Sequence, residues 1–209
     1  MSRSEYEREL YERQRAADVP PELRDRSPIK RVVEDVLRFG RKGVARILEF
    51  APTKLNFSWI TDELAVGGVF RRADIPKLRS MGVNAVVDCR AEDRDDQEAL
   101  YKHGIELLWL PAPDTHEISQ ESLDEGVEWV KRRIDLGQRV YVHCLHGVGR
   151  GPLLGSCVLV AQGYSATQSL QLVKARRWQA SPNEEQMEAL VTFARRHKAR
   201  STSEAEQAR

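Results

Sequence analysis

The sequence has few cysteines, no long apolar run and almost no net charge, and each of these absences excludes a class of protein. Three cysteines among 209 residues are too few and too scattered for a disulfide framework or a paired-cysteine metal site. The longest apolar run is far shorter than the ~20 residues that a membrane-spanning helix needs. Lysine and arginine total 33 against 32 acidic residues, so no excess of positive charge indicates nucleic-acid binding. The composition is that of a soluble globular protein, and nothing in it suggests a metal or another cofactor.

The first 55 residues fall into two segments that differ in composition. Residues 1–28 are crowded with glutamate and arginine, which predicts a charged arm, and their charged start argues against a signal peptide. The sparse and odd number of cysteines fits a reducing cytoplasm best. Residues 29–55 are expected to form an amphipathic helix and a linker, with basic residues opposite an apolar stripe. Such a helix either packs on its own domain, which is the common arrangement, or makes peripheral contact with an anionic membrane or a partner.

Residues 56–197 alternate short apolar segments with helical patterns, which indicates an α/β fold with a mainly parallel central sheet flanked by helices. The strands expected to be buried on both faces lie at 84–89, 105–110 and 139–143. The clearest helix starts are marked by the polar N-caps Ser119, Ser165 and Asn183. Residues 198–209 are predicted to be a disordered tail.

The segment VYVHCLHGVGRGP, residues 140–152, runs from a buried strand directly into a helix. In α/β sheets ligands bind at the carboxyl ends of the strands, so this crossing is a candidate site. Gly147, Gly149 and Gly151 should let the backbone curl so that successive N–H groups point inward. Those N–H groups and the N-terminal end of the following helix would together form a nest for an anion.

Cys144 begins this loop and Arg150 ends it, which predicts a nucleophile and a cationic clamp beside the bound anion. A thiol that faces such a nest is favoured as the thiolate, which is the nucleophilic form. The guanidinium of Arg150 matches two oxygens of a phosphate and is predicted to clamp them. His143 is expected to orient the loop through a hydrogen bond rather than to act as a base, because a thiolate needs none. The predicted phosphate-binding residues are Leu145, His146, Gly147, Val148, Gly149 and Arg150.

The order His143-Cys144-x-x-Gly147-x-x-Arg150 resembles the signature H-C-x-x-G-x-x-R of the cysteine-based protein tyrosine phosphatases. The length and layout of the chain are most similar to the dual-specificity branch of that superfamily, over about residues 56–197. The resemblance implies that the cysteine attacks a phosphate monoester, that a thiophosphate intermediate forms, and that water hydrolyses it. The partner would then be a phosphorylated protein or a small phosphomonoester, and no oligomeric state is implied.

Such chemistry also requires a group that protonates the leaving oxygen and then activates water. Asp114 is the candidate, because it follows a buried strand and lies 30 residues before Cys144, and the family places its acid loop at a similar distance. An aspartate after a proline is also common in a simple turn, which is the alternative interpretation. His116 and Glu117 share the loop and are the substitutes if Asp114 is not the acid.

The residue after the arginine is Gly151, where the family usually carries a serine or threonine whose hydroxyl supports the thiolate. Gly151 is therefore expected to slow the breakdown of the intermediate. The loop positions Leu145, His146 and Val148 carry no lysine, which favours phosphoproteins and small monoesters as substrates over multiply phosphorylated inositides. The basic helix at 29–50 favours the opposite, a lipid phosphate at a membrane. A non-catalytic phosphate-recognition module is the remaining alternative.

Two residues at the end of a neighbouring strand have open interpretations. Arg90 either touches the substrate or pairs with the adjacent acids of DCRAEDRDD, residues 88–96. Cys89 either is an inert packing group, as most buried cysteines are, or forms a disulfide with Cys144 under oxidation.

Overall fold

The computed structural model describes residues 55–207, so the predicted arm at 1–28 and the predicted helix at 29–50 lie outside the described residues. A five-stranded sheet forms the centre of the described part. In chain order its strands are Phe57–Trp59 (β1), Leu64–Gly67 (β2), Val83–Arg90 (β3), Glu106–Ala112 (β4) and Arg139–His143 (β5). They lie in the order β1-β2-β5-β3-β4, with β1 antiparallel to β2 and every other neighbouring pair parallel. The predicted α/β fold with a mainly parallel sheet is therefore confirmed.

The helices alternate with the strands. In chain order they are Ile75–Ser80 (α1), Gln97–Lys102 (α2), Gln120–Asp135 (α3), Arg150–Ala161 (α4), Ala166–Arg176 (α5) and Glu184–Gln207 (α6). The side chains of Ser119 and Ser165 each accept a hydrogen bond from the backbone N–H three residues further on. Asn183 and Gln186 exchange such bonds in both directions, which makes a capping box. Within residues 55–207, each helix is too short or too polar to span a bilayer.

Both faces of the sheet are covered by helices. On one face α3 and α4 pack directly on the strands, and α5 and α6 pack against α4. On the other face α1 and α2 cover a smaller apolar cluster. Gly155 allows α4 to lie very close to the sheet, since a Cβ there would be 2.7 Å from Cγ2 of Val66 in β2. The helix that begins at the candidate loop is therefore held tightly at the centre of the molecule.

The last helix is longer than the sequence predicts. It continues to Gln207, whereas residues 198–209 are predicted to be a disordered tail. Asp124 of α3 holds this helix, because its Oδ2 accepts hydrogen bonds from Arg196 at 2.6 Å and from Arg200 at 2.7 Å. The sequence beyond Lys198 also contains glutamate, alanine and glutamine, which favour helix. The part of the predicted tail that the structure describes, residues 198–207, is therefore a continuation of α6.

The topology brings the ends of three strands to one edge of the sheet. β3 lies between β4 and β5, and Asp88 near its end is paired with His143 at the end of β5. Because all three strands are parallel, their carboxyl ends face the same side. The segments that follow β5 and β4 carry Cys144 and Asp114 respectively. Two predicted site residues far apart in the chain therefore meet at this edge.

Candidate active site

Cys144 follows β5 and begins a loop that ends at the N-terminus of α4. The residue is 3% exposed, and its Sγ accepts a hydrogen bond from the Gly147 N–H at 3.2 Å. The Cys144 N–H donates to Gly67 O of β2 at 3.4 Å, which continues the strand pairing by one residue. The thiol therefore lies at the base of the loop and faces a backbone donor.

Successive carbonyl oxygens of the loop accept hydrogen bonds from donors outside it. The bonds in chain order are Val69 N–H to Leu145 O (3.0 Å), Asn56 Nδ2 and Arg177 Nη2 to His146 O (3.0 Å each), Arg177 Nε to Gly147 O (2.7 Å), and Ser181 N–H to Val148 O (2.8 Å). In a planar trans peptide the N–H points away from the C=O, so these bonds turn the N–H groups of residues 146–149 toward the inside of the loop. This is the geometry of an anion nest.

The three glycines of the loop differ in what a side chain at each position would meet. Gly147 has a φ of 69°, and a Cβ there would lie 2.3 Å from backbone atoms of Gly67. At Gly149 a Cβ would lie 2.5 Å from Gln186 Oε1. At Gly151, in the first turn of α4, a Cβ would meet nothing nearer than 3.6 Å. The positive φ and the close approach to Gly67 therefore require glycine at 147, the contact with the Gln186 side chain favours glycine at 149, and nothing near position 151 requires it there, which corrects the expectation for Gly151.

Arg150 is buried at the N-terminus of α4, and both of its Nη atoms bind oxygens. Nη1 donates to Ala112 O at 2.7 Å and to Glu92 Oε2 at 2.8 Å, and Nη2 donates at 2.7 Å to both Glu92 Oε1 and Asp114 Oδ1. Burial disfavours the cation, but the hydrogen bonds to Glu92 and the nearby negative groups outweigh it and raise the pKa of Arg150. A permanently charged clamp therefore lies beside the nucleophile.

Glu92 and Arg177 are site residues that sequence reasoning does not single out. Glu92 lies in the segment 88–96 with four other acidic residues, and nothing in that pattern marks the one that reaches Arg150. The hydrogen bonds from Arg150 are the main cause that lowers the pKa of Glu92 to about 2. Arg177 follows α5 in a segment rich in basic residues, where a solvated face is the usual interpretation. Both residues are recognised only by the partners that the fold brings to them.

Asp114 follows β4 and has a half-exposed side chain in contact with Arg150. The next residue, Thr115, has a φ of 66°, which is uncommon for a β-branched residue. Its carbonyl oxygen accepts a hydrogen bond from Asn183 Nδ2 at 2.6 Å. A constrained turn therefore presents the Asp114 carboxylate to the mouth of the loop.

The two substitutes for Asp114 turn toward α6 instead. His116 Nδ1 lies 3.4 Å from Glu185 Oε1, and the His116 carbonyl accepts a hydrogen bond from Gln186 Nε2 at 2.9 Å. The Glu117 N–H donates to the same Glu185 oxygen at 3.3 Å. Of the three candidate acids, Asp114 is the one with a described contact to the arginine, which favours it over the other two.

A buried network of charged groups lies behind the nucleophile. His143 has Nε2 2.8 Å from Asp95 Oδ2 and Nδ1 3.3 Å from the carbonyl oxygen of Cys144. Arg90 donates to both carboxylate oxygens of Asp88 at 2.9 Å and to Asp95 Oδ1 at 2.7 Å. Of the two interpretations of Arg90, the pairing with adjacent acids is the observed one. His143 is thus oriented by hydrogen bonds at the entrance to the loop.

The same network contains three potential metal ligands. Asp88, Asp95 and His143 each offer one atom, and these atoms lie within 4.8 Å of one another. The guanidinium of Arg90 already bridges the two carboxylates. A second cation would have to displace this arginine and leave its charge unpaired in the interior, which is costly. The donor set therefore fits an internal ion pair rather than a metal.

Cys89 and Cys157 are buried free thiols. Burial is the main cause that raises the pKa of both thiols, and the neighbouring Cys144 and Asp88 raise the pKa of Cys89 further. Both thiols are therefore protonated packing groups in this structure. The alternative interpretation of Cys89, a disulfide with Cys144 under oxidation, stays a prediction.

Residues 68–196 match the family described as dual specificity phosphatase, catalytic domain. The chain belongs to this family. The resemblance carried by the H-C-x-x-G-x-x-R order is therefore confirmed.

Two characterised phosphatases are similar to the same part of the chain. Phosphatidylglycerophosphate phosphatase PTPMT1 of Arabidopsis thaliana is 29% identical over 141 residues, which cover 60% of this chain and 42% of that protein. Dual specificity protein phosphatase 1 of Mus musculus is 25% identical over 132 residues, which cover 62% of this chain and 35% of that protein. The match thus covers less than half the length of either relative.

Solved structures cover the domain more completely. The crystal structure of Tk-PTP in the active form has a TM-score of 0.63 and 28% identity, and covers 68% of this chain and 97% of that chain. PTPMT1 in complex with PI(5)P has a TM-score of 0.67 and 23% identity, and covers 70% of this chain and 99% of that chain. At that level of identity the second similarity shows the fold alone.

The Glu92–Arg150 contact predicts a change in acid stability. A carboxylate whose pKa is lowered to about 2 stabilises the folded state above its unfolded pKa of about 4.3, and this stabilisation is lost as the pH falls toward 2. We expect Glu92→Gln to be less stable than the wild type at neutral pH, with the difference closing between pH ~5 and ~2. Urea unfolding at successive pH values measures this difference.

Glu98→Gln is the matched control, because Glu98 is an exposed glutamate six residues further on that pairs with Lys102 at the surface. Surface ion pairs of this kind contribute little to the free energy of unfolding, so Glu98→Gln should be as stable as the wild type at every pH. A constant difference between Glu92→Gln and the wild type over the whole range would contradict the contact with Arg150.

Proposed function

We propose that this protein is a phosphatase that hydrolyses phosphate monoesters through a cysteinyl-phosphate intermediate. The observation that carries the proposal is the convergence of three groups on one nest. The Cys144 Sγ accepts the Gly147 N–H at 3.2 Å, and the Arg150 guanidinium contacts the Asp114 carboxylate at 2.7 Å. Nucleophile, phosphate clamp and proton donor thus meet at the N-terminal end of α4, where the helix dipole also favours an anion.

In the first step the Cys144 thiolate attacks phosphorus. A P–S bond forms while the P–O bond to the leaving group breaks, and protonated Asp114 gives its proton to the leaving oxygen. The inward N–H groups of residues 146–149 and the Arg150 guanidinium bind the three remaining oxygens. The substrate phosphate takes over Arg150 donors that Glu92 and Asp114 occupy in the described structure.

In the second step water attacks the same phosphorus from the side that the leaving group has vacated. Asp114, now ionised, accepts a proton from that water, the P–S bond breaks, and the thiolate and inorganic phosphate are released. No hydroxyl at position 151 assists the departing thiolate, because the residue there is Gly151. Breakdown of the intermediate is therefore the slower step in this proposal.

We propose phosphotyrosine, with phosphoserine and phosphothreonine as further targets, as the substrate class. The variable loop positions Leu145, His146 and Val148 supply no lysine for additional phosphates, so a single phosphate matches the loop best. The second candidate is a phospholipid or inositide. The similarity to the Arabidopsis protein named phosphatidylglycerophosphate phosphatase favours it, and the predicted basic helix at 29–50 would supply membrane contact.

The covalent mechanism predicts a burst. On rapid mixing with p-nitrophenyl phosphate, the wild type should release up to one equivalent of nitrophenol and then turn over more slowly. Cys144→Ser should show neither phase but should still bind inorganic phosphate, because the nest and Arg150 remain. If neither protein turns over while both bind phosphate, the chain is a phosphate-recognition module.

The same pair of proteins decides the substrate class. A phosphotyrosine peptide should be hydrolysed faster than phosphatidylglycerophosphate in vesicles, with Cys144→Ser inactive on both. The opposite order would favour the lipid candidate. Hydrolysis of both at similar rates would contradict the preference for a single protein-borne phosphate.

The role of Asp114 depends on the leaving group. Asp114→Asn should lower kcat/KM, which reports the first step, by about 10²–10⁴ for phosphotyrosine, whose leaving group needs a proton, and much less for p-nitrophenyl phosphate. Glu117→Gln removes another carboxylate of the same loop and serves as the control, since its backbone is held by Glu185. Equal losses on both substrates, or a larger loss in Glu117→Gln, would contradict the assignment of Asp114.

Position 151 tests the second step directly. A Cβ at Gly151 would make ordinary contacts of 3.6 Å with Cys144 N, Gly67 O and His143 C, so a serine fits there without displacing the loop. Gly151→Ser should speed the slow phase and leave the burst rate unchanged, because its hydroxyl can support the departing thiolate. Gly151→Ala is the control for the added Cβ. A slow phase that is the same in all three proteins would contradict this account.

A further inference from the structure

Arg177 is a buried arginine whose described acceptors are all neutral. It is 1% exposed. Its bonds run from Nε to Gly147 O (2.7 Å), from Nη2 to Asn56 Oδ1 (2.7 Å) and His146 O (3.0 Å), and from Nη1 to Ser58 Oγ (3.4 Å). In the part of the chain that the structure describes, Arg90 and Arg150 are paired with carboxylates, but Arg177 forms no such pair. A buried cation without a counterion is costly, so its negative partner has to be identified.

The electrostatic surroundings of Arg177 indicate that partner. Burial is the main cause that lowers the pKa of Arg177, and the two ionisable groups that oppose it are Tyr141 and Cys144. Burial also raises the pKa of Tyr141 far above neutrality, so the phenol stays uncharged. The remaining group is the Cys144 thiol, which lies at the base of the loop that Arg177 binds. The charge of Arg177 therefore acts on the nucleophile from the outer side of the loop.

The hydrogen bonds of Arg177 also set the orientation of two successive peptides. The carbonyl of His146 points to Arg177, and the N–H of the same peptide, which belongs to Gly147, donates to Cys144 Sγ. The carbonyl of Gly147 points to Arg177 as well, so the Val148 N–H points to the opposite side, into the nest. Without these bonds nothing described would hold the Gly147 carbonyl outward.

We propose that Arg177 is a positioning residue of the active site, which holds two loop peptides with their N–H groups toward the inside of the loop and supplies a second buried positive charge behind it. This inference rests on the proposed function, because it names a further support for the same thiolate and the same bound phosphate. Arg177 has particular importance in this chain, where Gly151 offers no hydroxyl to the thiolate. It does not touch the substrate and acts through the loop.

The test measures the reactivity of the Cys144 thiol and does not require turnover of a substrate. The rate at which iodoacetamide alkylates Cys144 is followed by mass spectrometry from pH 4 to pH 9, in the full chain, with and without inorganic phosphate. The other ionisable groups coupled to Cys144 are Cys89, Tyr141 and Arg150, and none of them is changed. Arg177→Gln should move the midpoint of alkylation upward by about one pH unit. It should also raise the phosphate concentration that gives half protection by about tenfold.

Arg176→Gln is the matched control, since it removes the same charge from an exposed residue one position earlier in α5. It should leave both quantities at their wild-type values. Arg177→Lys keeps the charge but cannot bridge two carbonyls. Its alkylation midpoint should therefore lie between those of Arg177→Gln and the wild type, while its phosphate binding should stay close to that of Arg177→Gln. A folded Arg177→Gln with an unchanged midpoint and unchanged protection would overturn the proposal and leave Arg177 a packing residue.

Asn56→Ala covers the case in which Arg177→Gln does not fold. Asn56 is an exposed residue whose side chain donates to His146 O and accepts from Arg177 Nη2, so its loss weakens the same tether from the surface. It should shift the midpoint and the half-protecting phosphate concentration in the same directions by a smaller factor, and wild-type values would overturn the proposal. If these shifts occur in a protein that never turns over a phosphate ester, the proposed function fails while the role of Arg177 stands.

Discussion

The active site depends on the hydrogen bonds that hold four successive carbonyl oxygens, those of residues 145–148, on the outer side of the loop. A loop whose N–H groups all point into one cavity brings like dipole ends together, and it would flatten if its carbonyls were free to turn inward. Here Asn56, Val69 and the segment 177–181 supply the donors that prevent this, and β5 and α4 fix the two ends. The attachment of these carbonyls therefore fixes the inward direction of the N–H groups of residues 146–149, to which a phosphate would bind.

Two buried arginines approach this nest, and the difference in their partners separates their functions. Arg150 lies at the cleft and pairs with two carboxylates that a bound phosphate would replace, so its charge would be balanced in either state. Arg177 lies behind the loop, where neutral acceptors fix its position and leave its field uncompensated by any described carboxylate. The first can release its partners to bind a ligand. The second cannot move without disturbing the loop, so it acts as a fixed charge.

Much of this fold could be predicted because its signals are local. The β5 strand at 139–143, the capping residue Ser165 and the loop that starts at Cys144 are each encoded within a few neighbouring positions, and the structure has them where the sequence indicates. The partners of Glu92 and Arg177 could not be predicted in this way. Each is one charged residue among several similar ones, and its partner lies tens of residues away in the chain. Selection of the right one depends on how the strands and helices pack, which no short pattern contains. The length of α6 escaped prediction for the same reason, since a contact with α3 holds it.

The contacts of Arg150 couple phosphate binding to the readiness of the proton donor. Nη2 of Arg150 donates to both Glu92 and Asp114, so the donor that a phosphate oxygen would take is the one that holds the Asp114 carboxylate in the described structure. A phosphate bound there would release Asp114 from the guanidinium and leave its carboxyl free to reach the leaving oxygen. Glu92 has two oxygens on the guanidinium and Asp114 one, so Asp114 is the partner that is displaced more readily. Substrate binding would therefore free the proton donor where the leaving group needs it, and the constrained turn at Thr115 keeps the carboxyl within the cleft.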